Sequence, residues 1–359
     1  MFHNIRILAA RHRVRVISFV ENEGEREMLR SLDGICESVT AVKCVPDLRL
    51  HWFSVMPFLV RAFSTPEMYR AVQSEFDRGK VDVLQCEYLQ MAQFYRPGVV
   101  TVLTMHEALS ANAYEEFRKE ADLVQKLRLY YRWMATLRYE ALMARKFDRV
   151  VTMTENDAEH VRSYSPAVNI RAIPIGIDPQ EFQPWPEEPG RPIEVLFIGN
   201  FRHNPNVEAV NFLVTRIAPH FLDVQFVISG FQASDHFRDR TNVRCSGYVP
   251  DIRTLYRRPN TIVATPLFSG TGQRVKLLEA FSMGCPVITS SIGAAGFPVR
   301  NGVDALIADT AHDFAAALRQ LISSKQLRRN LGENARQMIV RDFSWQRIGE
   351  QLLDLVEQP

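Results

Sequence analysis

The sequence predicts an α/β protein that consists of two doubly wound domains in tandem. Short apolar runs alternate with helical patterns, and after a proline-rich stretch the same alternation starts again. Such alternation is typical of parallel sheets that are covered by helices on both faces. The 359 residues and the 46% hydrophobic content are enough for two domains, each with its own core.

The first domain is predicted from six strand-like runs with helical patterns between most of them. These runs are Arg15–Phe19, Val39–Cys44, Val81–Glu87, Val99–Met105, Arg149–Thr154 and Ile170–Ile175. The second domain is predicted from six further runs. These are Ile193–Gly199, Val224–Gly230, Val243–Tyr248, Thr261–Leu267, Pro286–Ser290 and Ala305–Ala308.

A proline-rich segment separates the two series. Residues 173–192 contain six prolines, which exclude a long helix or a central strand. The predicted organisation is therefore a domain at 1–176, a linker at 177–192, a domain at 193–342, and a helix at 343–359 that packs back on the first domain. Because open parallel sheets bind ligands beyond the carboxyl ends of their strands, two facing domains predict a cleft.

Composition limits the partners and the location of the protein. The 43 basic and 41 acidic residues leave a net charge of only +2, which argues against a nucleic-acid partner. Five cysteines form an odd set without close pairs, which is typical of reduced thiols in a cytoplasmic protein. No apolar stretch approaches the roughly 20 residues of a membrane span, so we expect a soluble protein.

Two segments are candidates for contact with a membrane. The predicted helix Ala121–Lys146 is basic and carries interleaved aromatic residues, so one interpretation is a peripheral helix on an anionic membrane. A core-packed helix with a solvated basic edge is favoured, because Glu120 and Glu140 interrupt the charge. The apolar segment Trp52–Val60 could likewise be an interfacial loop or an acceptor-side wall, but Pro57 breaks it and buried core is favoured.

The most informative segment is a glycine-bearing loop between a predicted strand and a predicted helix. The loop Ser269–Gly272 follows the run Thr261–Leu267, and Arg274 and Lys276 lie at the start of the helix. Unpaired N–H groups and the helix dipole favour an anion at such a junction, and charge-assisted hydrogen bonds contribute about 1.5–3 kcal/mol each. Glu279, one turn further, is suited to accept from two ribose hydroxyls. The alternative is that Lys276 and Glu279 form an ordinary surface pair at helical spacing.

Several motifs together resemble glycosyltransferase family 4. They are the segments Val195–Asn206, Gly247–Tyr256, Gly270–Ala280 and Gly284–Ile288 in the second half, and Thr104–Glu107, Val150–Glu155 and Ile173–Asp178 in the first half. The resemblance covers nearly the whole chain. It implies the GT-B architecture of two Rossmann-like domains and a retaining transfer of sugar from a nucleotide-diphosphate donor. It implies no metal and no cofactor besides the nucleotide sugar itself, and it suggests polysaccharide biosynthesis with a glycan or lipid-linked acceptor.

The resemblance also assigns roles to residues. His106 matches a histidine near the transferred sugar, Arg274 and Lys276 match a basic pair beside the diphosphate, and Glu279 matches a glutamate that holds the donor ribose. The residues with an implied catalytic role are His106, Arg274 and Lys276. The residues with an implied donor-binding role are Gly199, Asn200, Arg202, Tyr248, Val249, Gly270, Thr271, Gly272, Gln273 and Glu279.

The sequence departs from the family pattern at two places. Thr271 stands where the family has the first glutamate of a pair. The segment from Met1 looks like the first helix and second strand of the family's N-terminal domain, so we expect the first strand and its glycine-rich loop to be missing. These departures keep open a donor-binding remnant or assembly subunit as an alternative to the enzyme, and a nucleotide-sugar epimerase as a third interpretation. A dinucleotide-dependent dehydrogenase is disfavoured, because Gly293–Gly296 is only a fragment of the glycine fingerprint.

Overall fold

A computed structural model of the protein describes residues 1–44, 56–184, 192–239, 241–257 and 260–358. The chain forms two compact units. The first unit contains Met1–Pro174 and Ile348–Pro359, and the second contains Ile175–Arg347. The first boundary lies close to the end of the predicted N-terminal domain at 176, and the C-terminal residues from Ile348 belong to the first unit.

The first unit is built from the six predicted strands and seven described helices that surround them. The strands are β1 (Arg15–Val20), β2 (Ser38–Lys43), β3 (Val83–Glu87), β4 (Val100–Met105), β5 (Arg149–Thr152) and β6 (Ile170–Ala172). The helices are α1 (Phe2–Ala9), α2 (Glu23–Leu29), α3 (Phe58–Ala62), α4 (Pro66–Arg78), α5 (Leu109–Lys119), α6 (Leu123–Lys146) and α7 (Glu155–Tyr164). Short 3-10 segments occupy Arg30–Leu32 and Leu89–Phe94.

The strands of the first unit divide into two parallel sheets. One sheet contains β1 and β2, and the other has the order β3-β4-β5-β6. Strand β5 is buried along its whole length, including Arg149 and Thr152 at its ends, whereas β1 is mostly half-buried. The six strand-like runs of the first domain, which predict one sheet, therefore form two sheets, and the division falls between β2 and β3.

The second unit contains one parallel six-stranded sheet with the order β12-β11-β10-β7-β8-β9. The strands are β7 (Glu194–Ile198), β8 (Gln225–Ser229), β9 (Val243–Gly247), β10 (Thr261–Thr265), β11 (Val287–Thr289) and β12 (Leu306–Ile307). The helices are α8 (Asn204–Phe212), α9 (Ala233–His236), α10 (Arg253–Tyr256), α11 (Val275–Ser282), α12 (Ser291–Ala294), α13 (Ala311–Ser323), α14 (Lys325–Asp342) and α15 (Trp345–Glu357), and α15 runs on into the first unit. A short π-helix at Leu213–Ile217 and a 3-10 helix at Ala218–His220 follow α8.

Two apolar clusters cover the two faces of this six-stranded sheet. Phe197 and Phe226 belong to one cluster, and Leu196 and Val227 to the other, so neighbouring residues of β7 and β8 point to opposite faces. Side chains on both faces are almost fully buried. The sheet is therefore covered on both sides, and the predicted α/β fold with doubly wound domains is confirmed.

Helix starts follow the local sequence. Thr65 precedes α4 and its hydroxyl accepts a hydrogen bond from the Met68 N–H at 3.3 Å, with Pro66 in the first turn. Asp122 precedes α6, and its carboxylate accepts from the Gln125 N–H at 2.8 Å. Such side chains satisfy N–H groups that have no partner within the helix.

The described part of the predicted linker packs within the second unit. Residues 185–191 lie outside the described residues, while Ile177 is buried and its N–H donates to the Phe343 carbonyl at 2.8 Å. The Arg336 guanidinium donates to the Phe182 carbonyl at 2.8 Å and to the Pro179 carbonyl at 3.1 Å. Residues 177–184 therefore belong structurally to the second unit.

The predicted apolar segment Trp52–Val60 is described only from Met56 onwards, and residues 52–55 lie outside the described residues. Val60 is buried, whereas Met56 and Leu59 are exposed. The five cysteines are all free thiols. Among the described helices, none has the length and apolar character that a membrane crossing requires.

Candidate functional site

The glycine-bearing loop follows β10, as the sequence predicts, and an arginine braces it. Gly270 and Gly272 have φ angles of 96° and 76°, a region that favours glycine. The Arg274 guanidinium donates to the Thr271 carbonyl at 2.5 Å and to the Gly270 carbonyl at 2.6 Å. A Cβ atom at Gly270 would lie 3.3 Å from Arg274 Nη2. The loop therefore closes around a cationic side chain.

Lys276 lies in the first turn of α11, directly after this loop. Its ammonium donates to Asn206 Oδ1 at 2.6 Å and sits 4.3 Å from the centroid of the Phe197 ring. Burial and, to a smaller extent, the neighbouring charge of Arg274 lower the pKa of Lys276 to about 7, while the charge of Glu279 opposes the shift. In this first turn the Leu277 N–H donates to the Arg274 carbonyl at 2.9 Å, whereas the N–H groups of Val275 and Lys276 precede any acceptor that the helix offers. Two basic side chains and the N–H groups of Val275 and Lys276 therefore lie together at the start of α11.

Glu279 lies one turn further along α11 and is held by a tyrosine. The Tyr256 hydroxyl is 3.0 Å from Glu279 Oε2, and the Tyr256 side chain is buried. Burial raises the pKa of Glu279 to about 7, although the Tyr256 hydrogen bond and the charge of Lys276 both lower it. A cation and a carboxylate, both titrating near neutral pH, therefore lie one helical turn apart.

Asn206 connects this pair to the end of β7. Its Oδ1 accepts from Lys276, and its Nδ2 donates to the Asn200 carbonyl at 2.7 Å. Gly199 lies against the same amide, since a Cβ atom there would be 2.9 Å from Asn206 Cγ. Three residues predicted for donor binding or catalysis, Gly199, Asn200 and Lys276, therefore meet around Asn206.

Glycines end three neighbouring strands beside this cluster. The Gly199 N–H donates to the Ser229 carbonyl at 3.0 Å, and the Gly230 N–H donates to the Gly247 carbonyl at 2.7 Å. A Cβ atom at Gly230, whose φ is 138°, would lie only 1.8 Å from the Gly199 carbonyl oxygen. The backbones of β7 and β8 thus approach each other as closely as glycine allows.

The other residues predicted for donor binding occupy varied environments. Arg202 is exposed and its guanidinium lies 4.7 Å from the Phe231 ring centroid. Tyr248 is 70% exposed, whereas Val249 packs against one face of the core. No contact in the described part of the chain joins these three to Lys276.

Gln273 and Thr271 differ in how their side chains are used. The Gln273 side-chain amide accepts from the Ile175 N–H at 2.5 Å and donates to the Ile175 carbonyl at 3.3 Å. Both polar atoms of this side chain therefore bind the backbone of Ile175. The hydroxyl of Thr271 is buried, and within the described residues it has no hydrogen-bond partner. An unsatisfied buried hydroxyl is uncommon and is consistent with a place that a ligand completes.

His106 lies in the first unit, at the end of β4, and is placed by two residues that precede it in the chain. Glu87 ends the neighbouring strand β3, and its Oε2 lies 2.8 Å from His106 Nε2. The Tyr88 ring stacks on the imidazole with a centroid distance of 4.0 Å, and Tyr88 has a φ of 72° that is rare for a tyrosine. The imidazole is therefore fixed in orientation by a carboxylate and a ring.

Five residues of these clusters were not predicted as site residues: Asn206, Tyr256, Gly230, Glu87 and Tyr88. Two of them could have been found, because Glu87 and Gly230 are the last residues of strand-like runs, and the carboxyl ends of parallel strands carry ligand sites. The partners of Asn206 and Tyr256 lie 70 and 23 residues away in sequence, so nothing local indicates them.

Comparison with known protein families gives a match to each half of the chain. The family described as Glycosyltransferase Family 4 matches residues 3–181, and the family described as Glycosyl transferases group 1 matches residues 192–324. Together the two matches cover most of the sequence. The family predicted from the motifs is confirmed.

Two relatives and one solved structure show the range of similarity. The spore coat protein SA of Bacillus subtilis is 32% identical over 114 residues, which is 30% of this chain and only 29% of that protein. The MMP alpha-(1->4)-mannosyltransferase of Mycolicibacterium hassiacum is 23% identical over 305 residues, 78% of this chain and 71% of that protein. HepE of Anabaena, solved in complex with UDP and glucose, superposes with a TM-score of 0.73 at 15% identity, covering 100% of this chain and 95% of that chain.

At 15% identity the structural similarity to HepE establishes the fold alone. The two family matches establish the family to which the chain belongs. The motifs, the paired α/β units and the two family matches agree. The protein therefore belongs to the GT-B glycosyltransferases, with a glycosyltransferase family 4 region in its first half and a group 1 region in its second.

Proposed function

We propose that this protein transfers a sugar from a nucleotide-diphosphate donor to a glycan or lipid-linked acceptor, with retention of the anomeric configuration and without a metal. The observation that carries the proposal is the cluster of Arg274, Lys276 and Glu279 at the start of α11. Two cations with a carboxylate one turn away match the order of diphosphate and ribose in such a donor. HepE, a structural neighbour, was solved with UDP and glucose, which supports a nucleotide-sugar donor.

In this proposal Lys276 and the first-turn N–H groups of α11 contact the diphosphate. Arg274 adds its charge and holds the loop Gly270–Gln273 in shape through the loop carbonyls. Negative charge builds on the diphosphate as the glycosidic bond breaks, so these interactions strengthen toward the transition state. That difference between ground state and transition state is what accelerates the reaction.

The remaining predicted residues have supporting roles in the proposal. Glu279, held by Tyr256, accepts from the ribose hydroxyls, and Gly199 allows the phosphates to approach the backbone. The Thr271 hydroxyl, which has no hydrogen-bond partner among the described residues, takes the place of the missing glutamate. Tyr248 and Val249 frame the base, with Asn200 and Arg202 nearby in the chain.

His106 is proposed to contact the transferred sugar, with Glu87 fixing the ring. For retention, the acceptor attacks from the leaving-group face, and the departing phosphate takes the acceptor proton. The free thiols favour a cytoplasmic location, and a lipid-linked acceptor requires peripheral contact with a membrane.

A donor screen monitored by released nucleotide tests this function. We expect one nucleotide sugar to release nucleotide only when an acceptor is present. Arg274→Ala and Lys276→Ala should each reduce turnover by about 100-fold or more, the size typical for loss of a group that stabilises the transition state. Lys325→Ala, an exposed lysine of the same unit, is the control and should keep full turnover.

Retained turnover in both active-site variants would overturn the mechanism. Nucleotide binding without turnover for any donor would favour a donor-binding remnant or assembly subunit. A new nucleotide sugar that forms in the absence of an acceptor would instead identify an epimerase.

A further inference from the structure

The connection that carries His106 joins β4 to α5 and is very short. Strand β4 ends at Met105 and helix α5 begins at Leu109, so three residues lie between them. Residues 106–110, which include the first two residues of the helix, are called the His106 segment below. Because so few backbone dihedrals separate the two elements, the position of His106 is set by the start of α5 as well as by β4.

Helix α5 begins without a capping side chain of its own. Its N-cap residue is Ala108, which offers no acceptor, and its first turn contains no acidic residue. The unpaired N–H groups of a helix start are usually satisfied by a serine, threonine, aspartate or asparagine at the N-cap. In this chain the acceptors come from two other helices.

The first acceptor is Asp157, in the first turn of α7. Its Oδ1 accepts from the Ala108 N–H at 3.3 Å. Its Oδ2 accepts from the Thr154 hydroxyl at 2.5 Å, and its own N–H donates to that hydroxyl at 3.1 Å. Asp157 is also buried. The carboxyl group is therefore fixed at the start of α7, with one oxygen directed at the backbone of the His106 segment.

The second acceptor is Glu140, in α6. Its Oε2 accepts from the Ser110 N–H at 3.3 Å. Glu140 does not lie on the basic edge of α6, as the sequence suggests, but is completely buried. The buried residues of α6 are Thr136, Tyr139, Glu140 and Ala144, so the favoured prediction of a core-packed helix holds for its second half.

The burial of Glu140 is offset by the helix start that it faces. Burial raises the pKa of Glu140 to about 7, while hydrogen bonds from Ser110 and from the Leu109 N–H favour the charged form. At pH 8 the group is therefore mostly ionised. A buried carboxylate is costly unless hydrogen bonds satisfy it, and the start of a helix supplies both N–H groups and a favourable dipole.

Further contacts reach the same segment from α7 and from β3. The Ser110 hydroxyl lies 2.9 Å from His160 Nε2, and Ser110 has no exposed surface. At the other end of the segment, the His106 ring contacts Glu87 at 2.8 Å. The second oxygen of Glu87 accepts from the Gln85 amide at 2.6 Å. Side chains from β3, α6 and α7 therefore converge on five consecutive residues.

We propose that Asp157 and Glu140 are positioning residues for His106. They hold the N–H groups at the start of α5, and the short connection transmits this constraint to the imidazole, which Glu87 fixes from the other side. The inference rests on the proposed function, in which His106 contacts the transferred sugar. The alternative, that the two carboxyl groups stabilise the fold without affecting His106, is an outcome of the test.

NMR of the full-length protein with labelled histidine, recorded without any ligand, tests the positioning directly. The signal of the His106 ring is the one that is missing from His106→Gln. We expect Glu140→Leu and Asp157→Ala to shift or broaden this signal, because each removes an acceptor from the His106 segment. Tyr139→Phe is the matched control and should leave it unchanged. Tyr139 is the buried neighbour of Glu140 on α6, and its hydroxyl has no hydrogen-bond partner within the described residues.

Steady-state kinetics at pH 8 measure the consequence for catalysis. Glu140→Leu and Asp157→Ala should each lower kcat by about tenfold or more, since a small misplacement of a group at the reacting centre is costly. The KM for the donor should stay within about twofold, because the proposed donor contacts lie in the second unit. Glu140→Gln and Asp157→Asn keep an oxygen that can accept from the same N–H groups, so they should stay within about threefold of the wild-type kcat.

A core variant separates positioning from loss of stability. Val72 is buried in α4 and belongs to an apolar cluster of the first unit that contains neither carboxyl group. Val72→Ala should lower the melting temperature, as the loss of buried methyl groups does, and leave both the His106 signal and kcat unchanged.

Three results would overturn the proposal. One is an unchanged His106 signal in both Glu140→Leu and Asp157→Ala, and another is an equal change of that signal in Val72→Ala. The third is a Glu140→Gln variant as impaired as Glu140→Leu. If Glu140→Leu does not fold, Asp157→Ala carries the same comparison. Absence of turnover with every donor would contradict the proposed function, whereas the NMR comparison would still decide the positioning.

Discussion

At the scale of single residues, the most consequential pair is Lys276 and Glu279. Burial moves both pKa values to about 7, the lysine downward and the glutamate upward. For the lysine this corresponds to roughly 5 kcal/mol of lost preference for the charged form, at 1.36 kcal/mol per pKa unit. A bound diphosphate would add negative charge beside the ammonium, so its binding would be coupled to the protonation of Lys276.

This coupling predicts a pH dependence of nucleotide binding. Because the pKa of Lys276 is lowered to about 7, the free protein loses this ammonium above pH 7, and a bound diphosphate raises the pKa again. UDP binding between pH 7.5 and 9 should therefore take up a proton, and the affinity should fall by at most about tenfold per pH unit. Glu279 is already mostly ionised in this range and contributes little.

Calorimetric titration in buffers of different ionisation enthalpy measures this uptake directly. Lys276→Met should abolish it and flatten the pH profile. Proton release, or an uptake that persists in Lys276→Met, would assign the coupling to another group.

Candidate site residues can be grouped from the sequence where the chain itself carries the signal. Arg274, Lys276 and Glu279 share one helix start, so sequence spacing sufficed to group them. Asn206 and Tyr256 were missed, since tertiary packing alone brings an amide from α8 and a phenol from α10 to these groups. The side chain of Gln273 binds the backbone of Ile175, a use that no pattern in the sequence indicates.

At the scale of elements, the strand ends of the second unit position the candidate site. Strands β7, β8 and β9 each lead to a glycine, and the Gly230 backbone lies against the Gly199 carbonyl. The strand-like runs predict each strand of the described residues to within a few residues, because buried parallel strands are rich in apolar residues. The division between β2 and β3 could not be read from the sequence, since strand pairing depends on distant partners.

The close approach of β7 and β8 predicts a large effect of one methyl group. Gly230→Ala would place a Cβ atom 1.8 Å from the Gly199 carbonyl oxygen at a φ of 138°, so the strand ends must move apart. We expect the melting temperature of the second unit to fall by about 10 °C or more, the size of a several-kcal/mol loss in a domain of this length.

Gly247→Ala is the matched control for this prediction. Gly247 also has a positive φ of 62°, but a Cβ atom there meets no heavy atom within 4 Å. It should cost about 1 kcal/mol, or roughly 2–4 °C. Equal losses in the two variants would show that backbone conformation, and not the strand contact, sets the cost.

At the scale of the whole molecule, the chain divides its chemistry between two units. The second unit holds the cluster of Arg274, Lys276 and Glu279, and the first holds His106 with Glu87 and Tyr88. The repeated α/β rhythm predicted both units from the sequence. The predicted linker was harder to assign, because its residues 177–184 are proline-rich like a connector yet pack on the second unit.

The central claim is that the start of α11 binds a nucleoside diphosphate, and calorimetric titration tests it most directly. UDP, GDP and ADP are titrated into the full-length protein at pH 7, with Lys276→Met and the control Lys325→Met in parallel. The account predicts that at least one nucleotide binds, that Lys276→Met weakens it by about tenfold or more, and that Lys325→Met leaves it unchanged. Binding that is equally tight in wild type and Lys276→Met, or the absence of binding for all three nucleotides, would contradict the account.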